Sequence, residues 1–180
     1  MDSLYICAMD RLKYLFVWLS RLTHSYGFGI QSPSDYWLVR YVINEHWPYY
    51  QYEELGNDDD WLTKKLGRLY FRLANWRQPT IIESDGYREY MQAGCKHVVF
   101  GESSEMVRLT LDGDYRRNLS LIYNKVLDDS ILIVEGIRRD IAFWHKMTED
   151  ERVRVSFDLY YCGIVLFDKK RHKQNYIINI

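Results

Sequence analysis

Apolar and polar positions follow two different rhythms along this chain, and the change falls close to residue 78. Before it, the spacing is helical. Leu12, Leu15, Phe16, Leu19 and Leu22 form one stripe, which predicts a first amphipathic helix with Asp10 as N-cap and Gly27 and Gly29 beyond its end. Ser32-Pro33-Ser34-Asp35 predicts a second start: serine as cap, proline at the first helical position, an acid in the first turn. That helix carries Leu38, Val39, Val42 and Ile43 and ends before Pro48. Asp58, Asp59 and Asp60 head a third helix, where acids complement the dipole, and Leu62, Leu66, Leu69, Tyr70 and Leu73 are its buried stripe up to Pro79. Residues 1–77 therefore read as a helical lead-in without a strand.

From residue 80 short apolar runs alternate with helical stretches. The runs Thr80–Glu83, His97–Gly101, Val107–Leu111 and Ser130–Glu135 predict strands, and Tyr87–Ala93, Tyr115–Leu127 and Ile137–Met147 predict helices between or after them. This alternation implies right-handed crossovers and a mostly parallel sheet with helices on both faces, a Rossmann-like α/β domain over residues 78–180. Val153–Leu159 and Gly163–Phe167 are separated by three residues, too few for a parallel crossover, so they predict a C-terminal antiparallel hairpin. Gln174–Ile180 predicts an edge strand.

Composition narrows the function classes. With 180 residues, 47% hydrophobic and 27% charged, the chain is an ordinary globular protein. A net charge of −1 gives no overall handle for nucleic acid or an anionic membrane. Cys7, Cys95 and Cys162 form no CxxC pair and the histidines have no metal-ligand spacing, which reads as a reduced cytoplasm. The run 14–19 (YLFVWL) is too short to span a bilayer, and Asp2, Asp10, Arg11 and Lys13 argue against a secretory signal.

In open parallel sheets ligands bind beyond the carboxyl ends of the strands, near the point where strand order reverses. Acids fall at four such ends: Glu83 or Asp85, then Glu102, Asp112 and Glu135. A carboxylate there can accept from ribose hydroxyls or hold a cation; alternatively it only caps the helix that follows. Glu102 stands 16 residues beyond Gly86, near the spacing at which a second-strand acid meets a ribose. The loop Glu83-Ser84-Asp85-Gly86 has a single glycine and two acids, a poor cradle for an anion.

Three stretches resemble a bacterial family of class I S-adenosylmethionine-dependent methyltransferase-like proteins. His24–Asp35 with Pro48-Tyr49-Tyr50 is similar to that family's lead-in, with its "HGxGxxSPF" pattern. Leu111-Asp112-Gly113-Asp114-Tyr115 is similar to the "IDGxH" ending its fourth strand, and Val153–Phe167 with Lys173-Gln174-Asn175-Tyr176 to its closing hairpin. The resemblance implies S-adenosylmethionine as cofactor, Glu83, Asp85, Gly86 and Glu102 as cofactor-binding positions, and Asp112 and Glu135 as catalytic positions. The departures are a first loop without the family's "DLGTxxG" glycines and only Ser103–Arg108 where the family inserts a helix, a strand and another helix.

Together these imply a methyltransferase-like protein with lost or reduced cofactor binding, no cofactor in the limit, and a non-catalytic or interaction role. The alternative is an active O-methyltransferase on a small molecule, with Asp112 and Glu135 sharing a divalent cation that activates the acceptor oxygen. Sixteen tyrosines and six tryptophans suit a surface for a protein partner or a second copy, with Pro48–Tyr52 as the candidate patch, although the same rings can simply pack lead-in against sheet. Lys169–Lys173 is the candidate for a phosphate or nucleic-acid surface, but after a hairpin such a run reads as a solvated turn.

Overall fold

The computed structural model describes residues 12–180. The expected Asp10 cap and Cys7 lie outside them. Helix α1 covers residues 12–20, and a 3-10 turn follows at Leu22–His24. α2 (Pro33–Leu38) begins as the sequence predicts, with the Ser32 side chain accepting from the Asp35 amide and proline at the first position. It widens into a π turn over Val39–Ile43, closed by the Asn44 amide on the Val39 carbonyl at 2.8 Å. α3 (Trp61–Arg77) is capped by Asp60, which accepts from the Thr63 amide at 2.8 Å, and it ends where Gln78 turns left-handed.

The second part alternates strand and helix except between β2 and β3: β1 (Ile81–Glu83), α4 (Arg88–Gly94), β2 (Val99–Phe100), β3 (Met106–Thr110), α5 (Tyr115–Tyr123), β4 (Ile131–Glu135) and α6 (Ile141–Glu149). β5 (Val155–Asp158), β6 (Cys162–Leu166) and β7 (Gln174–Ile177) close the chain. The result is an α/β structure with a seven-stranded mixed sheet in the order β2-β1-β3-β4-β6-β5-β7 and, among the described residues, six α-helices. β2, β1, β3 and β4 run parallel, β6 is antiparallel to both β4 and β5, and β7 lies parallel to β5 on the edge.

Two helices differ from the expected bounds for local reasons. α5 stops at Tyr123 rather than Leu127, because the Leu127 amide is taken by the Ser130 hydroxyl at 2.7 Å and the chain turns into β4. α6 starts at Ile141 rather than Ile137, because Gly136 has φ +75° and Asp140 caps the helix through the Phe143 amide at 2.9 Å. The passage from β2 to β3 is unusually short. Phe100, Ile82 and Met106 lie level with one another, so residues 101–105 alone carry the chain across β1 to its other side. Parallel strands ordinarily need a dozen or more residues for this. Side chains hold the short link: Ser103 Oγ donates to the Ile81 carbonyl at 2.6 Å, and the Glu105 carboxylate accepts from the Thr80 amide at 2.8 Å.

Alternate strand residues divide between two buried clusters. Met106, Ile131 and Ile133 join Leu38, Val42, Leu69, Tyr70 and Met91 of α2, its π turn, α3 and α4. Val107, Leu132 and Val134 join Leu119, Ile122, Phe143 and Trp144 of α5 and α6. The helical lead-in thus shares a core with the sheet. Two buried acids tie it to the last strands: Asp35 receives Arg171 and, at 3.1 Å, the Tyr176 hydroxyl, while Asp158 receives Arg21 at 2.8 Å and Arg138 at 2.6 Å. Among the described residues no helix is long and apolar enough to cross a membrane.

Candidate functional site

Strand order reverses between β1, whose chain proceeds to β2 on one side, and β3, whose chain proceeds to β4 on the other. This is where a ligand crevice belongs. The loop after β1 closes on itself there: the Ser84 hydroxyl donates to the Gly86 carbonyl at 2.6 Å and accepts from the Gly86 amide at 3.3 Å. Tyr87, at φ +56°, then turns the chain into α4. The Gly86 amide is therefore directed inward instead of toward a ligand. The nearest atoms to a Cβ at Gly86 would be those of the Arg108 guanidinium, at an ordinary 3.4 to 3.8 Å.

Arg108, in the middle of β3, occupies the space between this loop and the end of β4. Its Nε and Nη2 both reach Glu135 Oε2 at 2.8 Å, and its Nη1 pairs with Asp85. The Tyr70 hydroxyl, from α3, donates to the same Glu135 oxygen at 2.9 Å, and the guanidinium lies 5.0 Å from the Tyr87 ring centre. Only 8% of the Arg108 side chain is exposed, against 18% for Glu135 and 81% for Asp85. Burial alone would depress the Arg108 pKa, but Glu135, Tyr70 and Asp85 outweigh it and the net shift is upward. Burial pushes the neighbouring Tyr70 hydroxyl and Cys162 thiol well above their usual values, so Cys162 is an inert thiol.

Of the residues picked from sequence, the fold gathers Asp85, Gly86 and Glu135 around Arg108. Glu83 faces elsewhere, accepting from the Ser103 amide at 2.9 Å and pairing with Lys125 just beyond α5. Glu102 is exposed after β2. Asp112 is exposed after β3, with Arg139 Nη1 at 3.5 Å. Asp112 and Glu135 each face an arginine, and the described residues contain no group of three or more His, Cys, Asp or Glu side chains arranged to hold a metal. Asp85, Glu83, Asp112 and Glu135 thus answer to cations, whereas the helix caps are Asp60 and Asp140.

The strand-end pattern of acids does not point to Arg108, although a charged residue inside the run MVRLT is a legible signal of a paired partner. In the basic run, Lys169 pairs with Asp128, Arg171 with Asp35 and Asp168, and Lys173 donates to the Asp150 and Val153 carbonyls, so these cations serve internal contacts. Within Pro48–Tyr52 the rings of Tyr49 and Tyr52 pack on Phe71 at 5.0 and 5.1 Å, and Tyr50 is exposed. No family model matches the chain, and neither a curated protein nor a solved structure does.

Proposed function

We propose that this chain is a Rossmann-like, class I methyltransferase-like protein of bacterial, cytoplasmic type, in which the methyl-donor crevice is closed and the protein acts through its surface instead of by catalysis. The observation that carries this reading is Arg108: its guanidinium bridges Asp85 and Glu135 across the strand-order reversal, with the single-glycine loop folded onto itself above it. A bound donor would have to displace a largely buried ion pair and re-aim the Gly86 amide, both of which oppose binding. The five-residue link from β2 to β3 supports the same reading, because it leaves no segment to complete an adenine pocket. The closing antiparallel pair β5–β6 supports the family resemblance itself.

Calorimetric titration with S-adenosylmethionine is the direct test. No heat of binding is expected up to about 1 mM ligand, whereas saturation in the low-micromolar range would overturn the proposal.

A further inference from the structure

A second cationic surface lies on α3, independent of the crevice that Arg108 closes. Trp61, Lys64, Lys65, Arg68 and Arg72 recur at helical spacing along one flank of this helix. Arg72 donates to the Val42 and Ile43 carbonyls at 2.7 and 2.9 Å, and Lys64 to the Asn57 carbonyl at 3.2 Å. Arg68 lies 4.9 Å from the Tyr52 ring centre and Lys65 4.6 Å from that of Trp61. Other arginines and lysines of the chain form salt bridges with carboxylates, yet none of these four takes part in one among the described residues. Four positive charges gathered on one flank with no close ion pair are an unfavourable arrangement that a bound anion would relieve.

The space in front of this flank is concave. A cavity of about 270 Å³ opens between Lys64, Lys65, Arg68 and Arg72 on one side and Asn44 and His46 on the other. The one acid among the described residues that line it, Glu45, accepts from the Tyr49 hydroxyl at 2.8 Å. A second, apolar cavity of about 250 Å³ lies against Tyr14, Trp18, Leu159 and Tyr161, and the two share Trp61, Lys65 and Ile180 as a common wall. Among the described residues, the Tyr161 hydroxyl, which lines the apolar chamber, is buried without a hydrogen-bond partner.

We propose that the two adjacent chambers together bind a small amphiphilic anion, with an apolar body against Trp18, Trp61 and Tyr161 and a carboxylate or phosphate head at Lys65 and Arg68. The polarity of the site fits that ligand. Burial, and then Arg72, bring the Lys65 pKa down to about 8, and burial followed by Arg72, Lys65 and Arg40 lowers that of His46, so both groups face neighbouring positive charge. An inorganic anion would leave the apolar chamber empty, and a neutral alcohol would leave Lys65 without a counterion.

The test is calorimetric titration of the full chain with decanoate and decyl phosphate, each below its micelle concentration, against decanol and inorganic phosphate as controls. Saturable one-to-one binding of at least one of the two amphiphiles is expected, and the tighter head group names the source. Lys65→Gln should weaken that binding about tenfold or more, the loss of one charge-assisted contact, with no fall in melting temperature. Trp61→Ala should weaken it as well. The proposal is overturned if neither amphiphile binds, if Lys65→Gln binds equally well, or if decanol or inorganic phosphate binds as tightly as the amphiphile. Co-sedimentation with phosphatidylglycerol vesicles in the absence of amphiphile binding would also overturn it, in favour of a membrane surface.

Discussion

Arg108 places three hydrogen-bond donors, its own two and the Tyr70 hydroxyl, around a single carboxylate oxygen of Glu135. Replacing it by methionine keeps much of the apolar stem but leaves Glu135 mostly buried with one donor. Arg108→Met is therefore expected to lower stability by about 2–3 kcal/mol in urea denaturation, below the range for a fully buried pair because part of Glu135 and most of Asp85 are wet. Gly86→Ala provides the contrast. Nothing closer than 3.4 Å meets the added methyl, so this change should cost less than about 1 kcal/mol, unlike a glycine on which a phosphate or sulfonium ligand depends. At this scale the sequence was half legible. The acids at strand ends were found because strand rhythm marks their place, but their partners lie 23 and 27 residues away along the chain, and no local pattern encodes such pairings.

α3 and α4 approach so closely that two glycines are required where they meet. A Cβ at Gly94 would stand 2.2 Å from the Phe71 carbonyl oxygen, and one at Gly67 would stand 2.6 Å from the Tyr90 ring. The Phe71 oxygen is main chain and cannot rotate away, so Gly94→Ala should destabilise the fold by about 2–4 kcal/mol in the same denaturation assay. The helices themselves were visible beforehand, because Ser32-Pro33 and Asp60 supply local caps and the apolar stripes are long. β4 was visible for the same reason, being a continuous apolar run between turn residues. β2 was overestimated: with the chain forced across β1 by five residues, only Val99 and Phe100 have room to pair. Nothing in HVVFG announces that constraint, which belongs to the connection rather than to the strand.

Over the whole molecule, half-buried tyrosines set the alkaline limit of stability. Burial pushes Tyr49, Tyr87, Tyr161 and Tyr176 up to about 12. A raised folded pKa means that the folded chain keeps protons which the unfolded chain loses above about pH 10, so stability is present below pH 10 and drains away as pH rises toward 12. Lys65 works in the opposite sense. Its depressed value of about 8 means that the unfolded chain holds the extra proton between pH 8 and its usual value near 10.5, so there stability rises with pH. Urea midpoints are expected to hold or rise slightly from pH 8 to about 10 and then fall steeply by about 11; a midpoint that falls steadily from pH 8 would contradict both assignments. The division into a helical lead-in and an alternating α/β part was legible as a change of rhythm; the ion pairs joining the two parts were not. Asp35 finds Arg171, and Arg21 finds Asp158, across some 136 and 137 positions of chain. Closing loops of that length costs entropy before any contact repays it, which slows folding. During synthesis Asp35 and Arg21 therefore wait, a carboxylate and a guanidinium without their ion-pair partners, until Arg171 and Asp158 have left the ribosome.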